Sequence, residues 1–222
     1  MQLEEIVTLT DPHSPAAEAY RSLRVNLRYA SLDTPLRTLV VASPTALKGA
    51  AKDVEVAVNL AVVTAQAGEH VALVDADLRH PTLHALFGEE SVPGLPQAIL
   101  TLEDEAAALP LAETGVENLR LLPGGHPPPN PVDILSSQKM STLLERLTQA
   151  VDVVILKAPP VLLAADTPAL AARADGLLLV TRSGHTRRDH LVAAKDELAR
   201  FDVRLLGAVL TDAPHKSPLM AY

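Results

Sequence analysis

The sequence predicts an open, doubly wound α/β domain with a mostly parallel sheet flanked by helices. Three observations carry this expectation. Six short runs of strand-forming residues recur along the chain, at 39–42 (LVVA), 71–74 (VALV), 119–122 (LRLL), 153–156 (VVIL), 176–181 (GLLLVT) and 203–210 (VRLLGAVL). These runs are mostly apolar rather than alternating, which is the pattern of parallel strands covered on both faces. Helical patterns separate them, at 15–31, 54–67, 132–149, 168–174 and 187–201, and that βαβα rhythm is the third observation.

Taken in order, the stretch up to about residue 33 is a helix that precedes the sheet, either packed on the domain or presented to a partner. The strands then follow with right-handed crossovers, which bring their C-terminal ends to one edge, where ligands of such sheets bind. The segment GGHPPPNP at 124–131 is a rigid loop inside the domain, because strand and helix patterns resume on either side. Neither an internal repeat nor a second domain is visible. The expected organisation is one domain over 1–222, with 14–31 as an N-terminal interaction helix.

Composition narrows the function classes. The chain has 222 residues, enough for a sizeable core. It has no cysteine, which excludes a disulfide, a thiolate nucleophile and a Cys-ligated metal. The net charge of −8 argues against a nucleic-acid partner, which calls for a basic face. The first residues, MQLEEIVTLTDPHSP, hold no apolar signal core, and no apolar run approaches the ~20 residues that span a bilayer. A soluble cytoplasmic domain is the expectation.

Several segments carry chemistry. SPTALKGAAKDVEVAVNLA at 43–61 joins a strand to a helix, where a nucleotide-binding protein keeps its phosphate loop. DADLRHPTLHALFG at 75–88 follows a strand and offers Asp75 and Asp77. VDVVILKAPPVLLAAD at 151–166 ends its strand in Lys157. SPAAEAYRSLRVNLRYAS at 14–31 places Glu18, Arg21 and Arg24 three apart, along one helix face. HPTLH sets His80 and His84 four apart, a metal-pair spacing if both lie on one helix, although packing is the simpler role. TRRDH at 186–190 opens a helix with a solvated, charged first turn. The tail HKSPLMAY holds a single tyrosine, Tyr222.

Four segments, SPAAEAYRSLRVNLRYAS at 14–31, DADLRHPTLHALFG at 75–88, PPPNPVDILSS at 127–137 and VDVVILKAPPVLLAAD at 151–166, together resemble, nearly end to end and in order, the cytoplasmic kinase module of bacterial tyrosine kinases of capsular and exopolysaccharide export. That family lies within the partition-type and division-site ATPases, whose fold is that of the P-loop NTPases. The resemblance implies Mg-ATP as cofactor. It also implies a membrane-embedded chain-length regulator as activator, phosphorylation of tail tyrosines across a ring of subunits, and a cytoplasmic position at the inner face of the membrane through a partner. It implies an E-x-x-R-x-x-R subunit interface at Glu18, Arg21 and Arg24. Asp75 and Asp77 match the acidic motif that would supply a magnesium contact and a base for the tyrosine hydroxyl, and Tyr222 stands where a phosphosite would.

The loop departs from the family. A working phosphate loop needs glycines that let backbone N–H groups wrap the phosphates, a lysine on the β/γ-phosphates, and a Ser or Thr on magnesium. Laid without a gap on the partition-type pattern K-G-G-x-G-K-T-T-x-x-x-N-L-A, Lys48 and Gly49 match the first two positions. Lys52 then replaces a glycine, Asp53 the lysine, and Val54 the threonine. With kinase spacing counted from Ser43, Gly49 is the last glycine, and Ala50 and Ala51 replace lysine and serine. Neither register leaves a lysine followed by Ser or Thr. In the acidic strand of the family an Asp orders the magnesium shell, and Lys157 stands in its place. The degenerate nucleotide site is therefore Lys48, Gly49, Asp53, Val54 and Lys157, with no bound cofactor and no metal expected. Asp75 and Asp77 are expected to persist as helix caps or as partners of Arg79. In the gapless register Asp53 and Lys157 have exchanged charge across the pocket, which predicts a direct Asp53–Lys157 salt bridge.

The reading is a catalytically inactive, tyrosine-kinase-like scaffold or regulator that works with the chain-length regulator or an active kinase paralogue, with homo-oligomers expected through the α-helical face at 14–31. Two rivals stand beside it. One is an active tyrosine autokinase that binds Mg-ATP through an unconventional loop. The other is a nucleotide-free positioning module, which a basic surface patch would favour.

Overall fold

The structure, a computed structural model, describes residues 6–46, 51–88, 93–103 and 108–213. Seven strands form one sheet in the order β3-β4-β2-β5-β1-β6-β7. They are β1 (Thr38–Ala42), β2 (Val71–Asp75), β3 (Ala112–Glu113), β4 (Leu119–Leu122), β5 (Val153–Lys157), β6 (Gly176–Arg182) and β7 (Leu205–Thr211). Every pairing is parallel except β3 with β4. The six predicted strands are all present. The seventh, β3, is a two-residue antiparallel edge strand that is too short to show a pattern.

Strand residues alternate between two apolar cores, as a sheet covered on both faces requires. Leu39 and Val41 point to one side, with Leu73 and Ile155, against Val58 and Val62 of helix α3 (Lys52–Gln66). Val40 and Ala42 point to the other side, with Val74 and Leu156, and join Met140, Leu147 and Leu198. α3 is buried along almost its whole length because α2 (Pro15–Ala30) packs over it. The short α1 (Val7–Thr10) is tied to the same layer, where the Thr8 N–H and hydroxyl both donate to Oδ1 of the buried Asn59, at 3.1 and 2.8 Å.

Between β2 and β4 lie α4 (Leu83–Leu86) and α5 (Leu95–Leu100), neither of which the sequence pattern revealed. The single helix expected over 132–149 is two, α6 (Pro131–Leu135) and α7 (Gln138–Ala150). Ser137 breaks it, since its hydroxyl accepts the Met140 N–H at 3.1 Å and so caps a new helix. α8 (Asp166–Ala171) and α9 (Arg188–Arg200) complete the layer. The Arg187–Asp189 pair at the start of α9 is exposed, as a solvated first turn should be. No helix among the described residues is long and apolar enough to cross a membrane.

Candidate functional site

Strands β1, β2 and β5 lie side by side at the centre of the sheet, and their C-terminal ends deliver three polar segments to one edge. β1 runs into the loop before α3, β2 ends in Asp75, and β5 ends in Lys157. Asp75 and Lys157 are paired opposite each other in the parallel register. Four ionisable residues meet here in nearly complete burial: Asp53 at 9% exposure, Asp75 at 0%, Asp77 at 5% and Lys157 at 4%. An isolated buried charge is costly, so each must find a partner or lose its charge.

Lys157 finds Asp77. Its Nζ donates to Asp77 Oδ2 at 2.7 Å, and both side chains are shut off from water. Asp77 Oδ1 accepts the His80 N–H at 3.1 Å. Asp75 is spent on its own loop: Oδ2 accepts the N–H groups of Thr82 and Leu83 at 2.7 and 2.8 Å, and Oδ1 accepts the Asp77 N–H at 3.3 Å. Burial pushes the Asp75 carboxyl up from its ordinary value, while Lys157 and the two N–H groups oppose the shift. Asp75 thus caps α4, as expected of the acidic motif. The expected pairing with Arg79 does not occur through either aspartate. Arg79 instead makes a two-pronged pair with Asp166, Nε to Oδ2 at 2.8 Å and Nη2 to Oδ1 at 2.9 Å.

Asp53 is the second residue of α3. Burial raises its carboxyl, against the attraction of Lys157 and of the N–H groups of Asp53 and Val54, while Asp77 adds repulsion. The expected direct bridge between Asp53 and Lys157 is not formed. Lys157 turns to Asp77, because the loop after β2 carries that carboxylate to the end of β5, and Asp53 acts on the ammonium only through space. Val54 belongs to the apolar core on the α3 side, so no hydroxyl is offered at that position. Lys48 and Gly49 lie outside the described residues, as does Tyr222.

Four contacts at this edge escaped the sequence reading. Lys52, the first residue of α3, reaches Glu55 at 2.7 Å and Asp212 at 3.0 Å, and Arg182 holds the same Asp212 at 2.6 Å. Burial opposes the charge of Lys52, but Glu55 and Asp212 outweigh it and raise its pKa. Tyr20 of α2 donates to Glu55 at 3.3 Å, and burial, with Glu55 second, raises its hydroxyl pKa. Only the i,i+3 spacing of Lys52 and Glu55 was there to be read. The histidines do not share a helix: His80 precedes α4 and His84 lies in it, so the spacing carries no metal geometry. The glycines at 124–125 serve packing. A Cβ on Gly124 would stand 2.7 Å from Pro81 Cβ, beside the backbone of Asp75.

On α2, Glu18 pairs with Arg21 at 3.1 Å, Arg21 also donates to the Pro12 carbonyl at 2.7 Å, and Arg24 reaches Glu69 at 3.5 Å. The helix face expected at a subunit interface is therefore occupied by contacts within the chain.

Hard divalent cations need free oxygen donors in a regular shell. Here Asp75 and Asp77 spend their oxygens on N–H groups and on an ammonium, and Lys157 brings a positive charge to the same place. The described residues at this edge do not fit magnesium. Among the described residues, no group of three or more His, Cys, Asp or Glu is arranged to hold a metal ion.

No protein-family model matches the chain. Individual proteins do. The chain is 38% identical over 205 residues to the tyrosine-protein kinase YwqD of Bacillus subtilis, covering 92% of this chain and 84% of that one. Its fold superimposes on the kinase domain of the Escherichia coli tyrosine kinase ETK with a TM-score of 0.86 and 27% identity, over 98% of this chain and 84% of that one. The chimerical protein CapA2B2 gives a TM-score of 0.83 and 29% identity, over 92% and 88% of the two chains. With a relative this similar along nearly the whole length, and with the same parallel sheet beneath it, the chain belongs to the bacterial tyrosine kinases.

Proposed function

We propose that this chain is a catalytically inactive member of its family, a tyrosine-kinase-like scaffold or regulator in capsular or exopolysaccharide biosynthesis and export. One observation carries the reading: the buried Lys157–Asp77 pair places an ammonium where the family's chemistry requires a magnesium shell. Asp53 adds a second obstacle. A carboxylate near an approaching phosphate repels it, by about 1 kcal/mol at ~4 Å in water and several-fold more in a partly buried site.

Its partner is a membrane-embedded chain-length regulator or an active kinase paralogue, and it works in the cytoplasm, at the inner face of the membrane through that partner. Glu18, Arg21 and Arg24 form the oligomer interface once their internal contacts are exchanged for contacts with a neighbour.

Titration calorimetry with Mg-ATP, alongside phosphotyrosine detection, tests the reading. The expected result is no saturable binding at millimolar nucleotide and no phosphotyrosine. Tight binding with phosphate on Tyr222 would overturn it. That result would establish a second reading, an active autokinase using an unconventional loop, which is favoured by the kinase name of a relative 38% identical.

A further inference from the structure

Beneath α2, at the end of the sheet opposite Asp53 and Lys157, lies a cavity of about 460 Å³. Leu39, near the start of β1, lines it, so it sits toward the N-terminal ends of the strands. Its floor is apolar, since Leu27, Leu39, Leu60 and Ile155 are each at most 9% exposed. Its rim is open, with Arg28 and Ala67 exposed. A volume within roughly 300–1,000 Å³, apolar walls and a few placed polar groups are the features of small-molecule sites.

Arg24 supplies the polar group. Its Nη1 makes one long contact, 3.5 Å to Glu69 Oε1. Its Nε is buried and has no hydrogen-bond partner among the described residues. A buried donor without a partner is costly, so an acceptor is favoured there. The chain itself shows which kind. Arg79 holds both oxygens of Asp166 through Nε and Nη2, and Arg187 holds Asp189 through the same edge. That planar edge matches a carboxylate. On Arg24, in the wall of the cavity, it carries the unmatched Nε. Arg28 adds a second positive charge to the wall, and Glu69 and Asp152 add two negative ones. A lining balanced in this way suits a single negative charge and opposes a double one.

We propose that this cavity binds a small monocarboxylate with an apolar body, its carboxylate on the Nε edge of Arg24 and its body on the leucines below. The site shares no residue with the C-terminal edge of the sheet, so the proposal does not rest on the reading of an inactive chain.

Titration calorimetry with 4-phenylbutyrate tests this, beside its neutral amide and 4-phenylbutyl phosphate, at a pH where the phosphate is a dianion. The acid should bind saturably at millimolar concentration, in keeping with a ligand of this size. The amide and the phosphate should each bind roughly tenfold more weakly, the loss of one charge-assisted contact. Arg24→Lys keeps the charge but removes the planar edge, and should weaken the acid by a similar factor. Hydrogen exchange locates the site: the acid should slow segments 24–31 and 60–69, and protection at 75–83 instead would overturn the proposal. It also falls if the acid shows no saturable binding, if the amide or the phosphate binds as well as the acid, or if Arg24→Lys binds like the wild type. Should Arg24→Lys fail to fold, Ala67→Leu decides in its place, because a leucine on the rim narrows the entrance, and unweakened binding would overturn the proposal. The two readings fail separately: Mg-ATP binding defeats only inactivity, and failure of the acid to bind defeats only this site.

Discussion

Two regions of this molecule concentrate charge, and they hold it on opposite terms. At the C-terminal edge of the sheet, Asp53, Asp75, Asp77 and Lys157 are all at most 9% exposed, and the one close ion pair among them is closed to water. On α2, Glu18 and Arg21 pair in the open, with side chains 61% and 36% exposed. In the first region a missing partner leaves a charge stranded in a poor dielectric. In the second, water takes the partner's place. The same types of residue are thus structural keystones in one place and exchangeable contacts in the other.

The largest effect should come from breaking the buried pair. Lys157→Met leaves Asp77 uncompensated and is expected to lower unfolding stability by roughly 3–5 kcal/mol in urea titrations. A double-mutant cycle sharpens this. Coupling between Lys157 and Asp77 should exceed coupling between Lys157 and Asp53, in line with direct contact in one case and through-space attraction in the other. Equal couplings would show that Lys157 serves both carboxylates alike.

An intermediate effect is expected from pH. Burial raises the Asp53 and Asp75 carboxyls in the folded state. The folded chain therefore holds protons that the unfolded chain has released, and the stability due to these groups is lost as pH rises through their folded values. Lowering the pH from neutrality toward the ordinary carboxylate range should raise the melting temperature at this edge's expense of charge. Asp53→Asn should flatten that response, and an identical profile in the variant would count against a buried, titrating Asp53.

The smallest effect belongs to α2. Arg21→Ala and Arg24→Ala should each cost the monomer less than ~1 kcal/mol. If the face is an interface, the double variant should nevertheless shift the assembly to smaller species in size-exclusion light scattering. A monomer in every case, alone and with a candidate kinase, would remove the interface.

How far the sequence could be read follows the same physics. β1, β2 and β5 were legible because strands covered on both faces must be apolar throughout. β3 was not, since two residues at an antiparallel edge have no pattern, and α4 and α5 are too short to show a period. The break at Ser137 was hidden because a capping serine inside an amphipathic stretch looks like any polar position. At the site, the meeting of Asp53 and Lys157 at one edge was legible, because one lies in the helix that follows β1 and the other ends the neighbouring strand β5. The choice of Asp77 over Asp53 as the lysine's partner was not legible. It depends on how residues 76–83 fold back over the strand ends, a matter of loop conformation that no spacing records.

The strand order also has a kinetic meaning. β5 is made after β1 and β2, yet it lies between them and pairs with both. As the chain emerges, β1 and β2 cannot complete the centre of the sheet; β2 must wait across a gap of about eighty residues, the separation of Asp77 from Lys157, and β1 across a longer one. Closing such distant contacts is slow, because chain entropy is lost before the contacts form. The last central strand therefore brings the counter-ion of Asp77 with it, and the buried pair exists only once β5 lies beside β2.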